Sequence, residues 1–487
     1  LLVLAGVAAI GLALSFSATD NIPSLALLVS LLSLVSLPRS RVRIDTRQYW
    51  WEVLLNHPAR LLLTTFLFLC VMGTLLLITP MAPEAGTIDL IDAAFTSVSA
   101  VCVTGLIVLD TPNDFSLTGQ FFILALIQLG GLGIMTIATV ALHAMGRRLS
   151  LKQERIMTSM TDTDHRDLLQ SLATILKFTF ITEGIGAALL TLPFYFSGHS
   201  LGQSAWKGVF TAISAFCNAG FALQSDNLVP YQTNPFILHV VATLIILGGL
   251  APATSLIIPR WLTGKQIPLQ ARLALKTTVV LLVGGAFFFL VAEWNGVLAH
   301  LPLIDKIHNS WFQSVTLRTA GFNSVDIAGV ANPSFLVMIC WMFIGGSPGG
   351  TAGGIKTTTI SILAVTFWAN VTNRNDITTY NKRIRSGTIY RAITITIAGM
   401  IVWFIVVLML EMTQAIPARD LIFEATSALG TVGLSTGATL QLDEIGKIVI
   451  MLAMFVGRIG PMTLFMLLSN DYAATAARHP DAKISLT

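Results

Sequence analysis

Four peptides of nearly one design, AFTSVSAVCVTGL, VFTAISAFCNAGF, WFQSVTLRTAGF and IFEATSALGTVGL, lie between long apolar stretches of this chain. Their last glycines are Gly105, Gly220, Gly321 and Gly433, at intervals of 115, 101 and 112 residues. A Phe precedes that glycine by ten, ten, nine and ten positions (Phe95, Phe210, Phe312, Phe423). A hydroxyl residue precedes it by six, six, five and six (Ser99, Ser214, Thr316, Ser427). The third copy is one residue shorter; otherwise the agreement argues for four repeats of one unit. Each copy occupies a connection too long for a turn and too short for a domain, so the unit reads as span, re-entrant segment, span.

The intervening stretches are long enough to cross a bilayer, which takes about 20 apolar residues in a helix. Eight meet or approach that length: 61–78, 120–142, 172–196, 236–258, 273–292, 335–369, 392–410 and 448–468. Two shorter ones, 1–16 and 22–37, are joined by a polar turn and read as an N-terminal hairpin. Composition agrees. Charged residues are 11% of the 487, where a soluble domain carries roughly 25%, and mean hydropathy is +0.76. The expected fold is an all-α polytopic membrane protein. Its parts are a two-helix hairpin (1–50) and four pore repeats (51–150, 151–262, 263–380 and 381–487, the last with the tail) around one central pore.

Lys and Arg place the two sides. Of 29 basic residues, 22 fall in alternate connections and the tail, which marks those as cytoplasmic and puts both termini there. The same loops suit contact with anionic membrane lipids or a docking partner. Net charge is only +4 with no long basic run, so nucleic-acid binding is not expected. The chain begins at Leu1 without Met, so its start is expected to be trimmed, and no secretory signal is read there.

The four glycine peptides lie in the opposite, charge-poor connections. Non-helical backbone at membrane depth is tolerated only where protein buries it or water reaches it. Four such segments converging on one axis can present rings of carbonyls that replace a cation's hydration shell. The short helix before each aims its negative end at the same point. Candidate ion-binding residues, acting through backbone carbonyls, are Cys102, Val103, Thr104 and Gly105; Cys217, Asn218, Ala219 and Gly220; Arg318, Thr319, Ala320 and Gly321; and Gly430, Thr431, Val432 and Gly433. A side chain of Arg318 facing the ion would repel it, so it is expected to point away and tie its strand by hydrogen bonds. Cys102 and Cys217 are too few soft ligands for a metal site. Glu183, inside a span, is expected either to pair structurally with a basic partner or to touch an ion path.

The peptides CVTGL, CNAGF, RTAGF and TVGLSTG resemble those of the superfamily of potassium transporters that includes TrkH, KtrB and the plant HKT proteins. QLGGLGIMT, FIGGSPGGTAGGIKTTT and FVGRIGPMTL extend the resemblance over about residues 55–470. The phrases are most similar to the KtrB branch, while the hairpin resembles TrkH-like members. LGGLAPATSL departs from the usual Gly-rich text. The resemblance implies channel-like K+ uptake in a bacterial inner membrane, with Na+ dependence or leakage in some members. It also implies a homodimer and a cytoplasmic RCK-type nucleotide-binding ring similar to TrkA or KtrA, so nucleotide acts only through the partner. Gly105 at the first filter position goes with potassium passage, where Ser goes with sodium preference.

Within 335–369, Gly345, Gly346, Ser347, Pro348, Gly349, Gly350, Thr351, Ala352, Gly353 and Gly354 break any helix. The resemblance makes this a loop that obstructs the pore and moves on activation, and a glycine-rich loop with low internal packing suits movement. GGTAGGIKT is not a Walker A loop, because Ile355 separates Gly from Lys and no strand precedes it. Lys356 and Arg458 are charges at membrane depth. By resemblance Arg458 is a barrier beside the gate; the alternatives are carbonyl pairing for Arg458 and snorkelling for Lys356. A secondary transporter of another solute or Na+ with a broken-helix midplane site is the competing function. No span carries the nucleophile, base or metal motif of an intramembrane enzyme.

Overall fold

In the computed structural model, residues 58–133, 168–374 and 376–460 are described. The expected hairpin, the second half of the 120–142 span with the basic connection after it, and the end of the last span lie outside the described residues. What is described is helical apart from loops and one two-stranded ribbon, Thr378–Thr379 with Lys382–Arg383.

Helices recur in the order span, short helix, inner helix. They are α1 Pro58–Ile78, α2 Leu90–Val101 and α3 Leu117–Leu132; then α4 Leu168–Phe196, α5 Leu201–Cys217 and α6 Pro235–Gly249. The third set is α7 Leu269–Ala292, α8 Leu303–Thr316, α9 Asn332–Met342 and α10 Thr357–Val371, and the fourth is α11 Ser386–Thr413, α12 Ala418–Gly430 and α13 Glu444–Ile459. Segments Ala173–Phe196, Leu269–Ala292 and Ser386–Thr413 are long and apolar enough to cross a bilayer. Their outward faces expose Phe180, Ile181, Val280, Phe287, Ile401 and Phe404. That reversal of the soluble pattern is why so few charges suffice: lipid, not water, solvates this surface.

Helices α2, α5, α8 and α12 have 12, 17, 14 and 13 residues. At about 1.5 Å per residue none crosses the roughly 30 Å hydrocarbon layer. Their starts are polar: Asp89 accepts the amide of Ile91, and Ser200 forms a capping box with Gln203. Their bodies are anchored by the recurring phenylalanines, each wholly buried, and by hydroxyls set against the neighbouring span. Ser97 Oγ donates to the Cys70 carbonyl at 2.7 Å and Ser314 Oγ to that of Leu282 at 2.7 Å. Trp403 Nε1 donates to Thr426 Oγ1 at 2.8 Å. The fourth set joins the first through Lys447, whose Nζ lies 2.5 Å from Asp92 Oδ1 across 355 residues of sequence.

The structure corrects one expected span. Residues 236–258 are not one helix: α6 stops at Gly249, and the helical segment Pro252–Leu262 leaves it at 110°. Ala251 takes φ +68° and Pro252 cannot continue the hydrogen-bond ladder, so the unusual text LGGLAPATSL encodes a corner. The stretch 335–369 is likewise two helices, α9 and α10, with the glycine-rich segment between them.

Candidate functional site

The four short helices end on peptides that meet. Where Gly105 would carry a Cβ, the Ala219 carbonyl oxygen stands, with Gly220 Cα 3.1 Å away. A Cβ on Gly220 would lie 2.9 Å from Gly321 Cα, one on Gly321 3.2 Å from Gly433 Cα, and one on Gly433 3.1 Å from Gly105 Cα. The contacts close: 105 to 220 to 321 to 433 and back. No side chain fits at any of the four positions, which is the physical content of the recurring glycine.

Backbone conformation repeats with the same period. The glycines have φ of +93°, +73°, +77° and +90°. Two residues earlier Val103, Asn218, Thr319 and Thr431 have φ of +55°, +60°, +65° and +52°. For β-branched residues this region is strained by about 1–3 kcal/mol each, so the surroundings must hold it. They do so through the amides. Thr104 N donates to Ser99 O at 2.9 Å, Ala219 N to Ser214 O at 2.7 Å, Ala320 N to Thr316 O at 3.0 Å and Val432 N to Ser427 O at 2.8 Å. The third reaches four residues back where the others reach five, which absorbs the residue missing from the third copy. The same hydroxyl residues brace the far side of the glycine. Ser99 Oγ takes the Gly105 amide at 3.1 Å and donates to Leu106 O at 2.7 Å. Ser214 and Thr316 donate to Phe221 O and Phe322 O at 2.7 and 2.5 Å, and Ser427 takes the Gly433 amide at 3.1 Å.

With the amides of Thr104, Ala219, Ala320 and Val432 turned back toward their helices, the carbonyls of the same four residues accept no hydrogen bond among the described residues. All four residues are buried to 0% exposure. Buried carbonyls are rarely left without a partner, and each of these four oxygens crowds the ring glycine of the neighbouring quadrant. Cys102 and Cys217 are buried free thiols; Cys217 Sγ lies 3.9 Å from Glu183 Oε1. Glu183 is met by the Gln128 amide at 3.2 and 3.3 Å, and among the described residues no basic group forms a salt bridge with it.

The segment 345–354 packs against the helix side of these peptides. Gly353 has no room for a Cβ because of Thr431 Oγ1. Thr351 Oγ1 donates to the Phe216 carbonyl at 3.2 Å, and Arg318 Nη2 reaches the Gly345 carbonyl at 3.2 Å. The low packing expected of this loop is not what the structure has. Gly345, Gly346, Ser347, Thr351, Ala352 and Gly353 are buried; Pro348, Gly350 and Gly354 are half-buried, and Gly349 alone is exposed. Ser347 N and Thr351 N donate to Gly249 O and Gly248 O at 2.9 and 3.2 Å, and Thr357 N to Gly346 O at 3.0 Å. A parallel bridge between Ile344 and Ile355 closes its neck. The reason is backbone satisfaction: a loop at membrane depth must pair its amides with protein.

Both flanking cations turn onto carbonyls. Arg458 donates to Thr351 O and Gly130 O, linking α13, the loop and α3. Lys356 Nζ curls back to Ala352 O at 2.6 Å rather than extending toward an interface. Arg318, Lys356 and Arg458 therefore form a cationic group around the loop, and none makes a salt bridge among the described residues.

Sequence reasoning missed the glycines of the inner helices. Gly130, Gly248 and Gly457 each lie where a Cβ would strike a short-helix carbonyl, of Val101, Phe216 and Leu429. Each of those residues stands four before its ring glycine. The signal was present in QLGGLG, LGGLAP and FVGRIG, but only as text.

A profile described as TrkH, cation transport protein, matches residues 46–473. The chain belongs to the TrkH family of cation transport proteins. This TrkH-family chain is similar to the potassium/sodium uptake protein NtpJ of Enterococcus hirae, 34% identical over 438 residues, covering 88% of this chain and 97% of that one. It is also similar to Ktr system potassium uptake protein B of Bacillus subtilis, 33% identical over 433 residues, covering 88% and 96%. In fold it is similar to the potassium transporter TrkH from Vibrio parahaemolyticus, with TM-score 0.65 at 17% identity, covering 96% of this chain and 97% of that one. The TrkH-family protein is thus a membrane transporter rather than an enzyme.

Proposed function

We propose that this chain is a potassium uptake transporter in which dehydrated K+ passes the ring of residues 102–105, 217–220, 318–321 and 430–433, obstructed by the loop 345–354. The observation that carries the reading is the set of four buried, unpartnered carbonyls around a closed ring of glycines. Such oxygens are costly to bury unless something replaces water, and a monovalent cation does so at every quadrant at once. Four short helices pointing their C-terminal ends at the ring add to its negative field. The loop supports the second half. It fills the space next to three of the four peptides, and its cations raise the energy of a K+ leaving the ring while it stays in place.

Two similar proteins carry names of potassium uptake, one of them potassium/sodium uptake, so Na+ is a second permeant to be measured. The word system in the Ktr name supports a multicomponent assembly. We infer a homodimer in a bacterial inner membrane with cytoplasmic termini, regulated through a cytoplasmic RCK-type nucleotide-binding partner.

Reconstitution into proteoliposomes tests this. With a K+ gradient, 86Rb+ uptake should exceed that of empty vesicles, should be displaced by K+ better than by Na+, and should rise when the loop is shortened. Uptake equal to empty vesicles, with an organic solute moving instead, would remove the reading.

A further inference from the structure

The residue after the buried phenylalanine of each short helix occupies one equivalent position in the four repeats: Thr96, Thr211, Gln313 and Glu424. All are buried, Glu424 to 0% exposure. Only the fourth copy carries an acid there. Its carboxylate is engaged at both oxygens. Oε1 accepts from Ser435 Oγ at 2.6 Å, Thr436 N at 3.0 Å and Thr436 Oγ1 at 3.4 Å, and Oε2 accepts from Thr439 Oγ1 at 2.5 Å.

Every one of these donors lies in 435–439, the strand that leaves the ring at Gly433. Gly437 turns that strand at φ +90°, and its amide returns to Ser435 Oγ at 2.9 Å. The fourth peptide is therefore held at two points, by Ser427 at Gly433 and by Glu424 immediately beyond it. The equivalent groups do not act this way. Among the described residues Thr211 Oγ1 and both polar atoms of the Gln313 amide have no hydrogen-bond partner.

Space alone does not call for an acid, since Gln313 fills the same place in the third copy. What a carboxylate adds is acceptor capacity: four donors converge on it, while an amide has a single acceptor oxygen and would turn an NH2 toward the others. Among the described residues no Lys or Arg forms a salt bridge with Glu424, and the four hydrogen bonds are the polar contacts that hold it.

We propose that Glu424 is a positioning residue for permeation: by fixing the strand 435–439 it sets the place of the Val432 and Gly433 backbone in the ring, and with it the preference for K+ over Na+. The proposal rests on the ring being the ion pathway. It assigns the fourth quadrant a brace that Thr211 and Gln313 do not supply to theirs.

The test uses the full chain in proteoliposomes, with wild type, Glu424→Gln, Glu424→Asp and Thr439→Val compared for Rb+ and Na+ flux and for the K+ concentration giving half-maximal uptake. Glu424→Gln should elute as wild type on size exclusion and still conduct Rb+, while its K+/Na+ ratio falls about five- to tenfold, the size of one lost coupling of this kind. Glu424→Asp and Thr439→Val should move the ratio in the same direction by less. A folded, conducting Glu424→Gln with a ratio within about twofold of wild type overturns the proposal. If Glu424→Gln does not fold or carries no flux, Thr439→Val decides, because it keeps the acid and removes one donor; an unchanged ratio then overturns it. A wild type that passes neither ion sinks the pathway reading instead, which is a distinguishable result.

Discussion

At the scale of single residues, the site is built from what glycine lacks. A Cβ on Gly105 runs into the Ala219 carbonyl oxygen, and φ +93° adds a backbone cost of about 1–2 kcal/mol for any other residue. Gly105→Ser must therefore push a neighbouring quadrant outward. The expected outcome is a K+/Na+ flux ratio lowered by about tenfold with expression retained, since a distorted ring no longer matches K+ better than Na+; unchanged selectivity would detach this ring from permeation. Arg458 is the second residue to change. Arg458→Gln removes two charge-assisted bonds from the loop and one fixed positive charge from its surroundings. Basal Rb+ uptake without any cytosolic partner should rise several-fold, and a flux that stays at the wild-type level would show that Arg458 does not hold the barrier.

At the scale of elements, each short helix and its peptide behave as one piece. The hydroxyl residue joins them twice, through its carbonyl and through its side chain. The glycine-rich loop is an element of another kind, with no regular structure of its own but with amides paired to Gly248 and Gly249 of α6. It is held in place by a handful of bonds to its neighbours. Deleting residues 347–352 should raise basal uptake while size-exclusion behaviour stays normal. Low flux from a well-folded deletion would mean the loop is not the obstruction.

At the scale of the molecule, four sets of helices close into a ring, and Lys447 and Asp92 form an ion pair across the last closure. Both side chains are about one-fifth exposed, at 19% and 21%, so the pair is worth more than a surface contact, about 1–2 kcal/mol. Lys447→Met is expected to lower the melting temperature in detergent by a few degrees, with Asp92→Asn giving a similar loss and the double variant little more. Additive losses would show that the two side chains act independently.

The sequence by itself determined the class and the period of this protein. Eight apolar stretches, 11% charge and four glycine peptides at matched spacing leave few folds open, because membrane solvation and the needs of close backbone approach are written in residue type. It also located the hydroxyl that braces each peptide, without saying what it braces. Tertiary structure alone decided that 236–258 turns a corner, that the loop 345–354 is packed rather than loose, that Lys356 folds back on Ala352, and that Glu424 is tied to 435–439. The physical reason is common to all four. Each depends on which carbonyl or hydroxyl meets which donor, over separations from 4 residues (Lys356 to Ala352) to 135 (Thr351 to Phe216), and backbone carbonyls are chemically the same under every side chain.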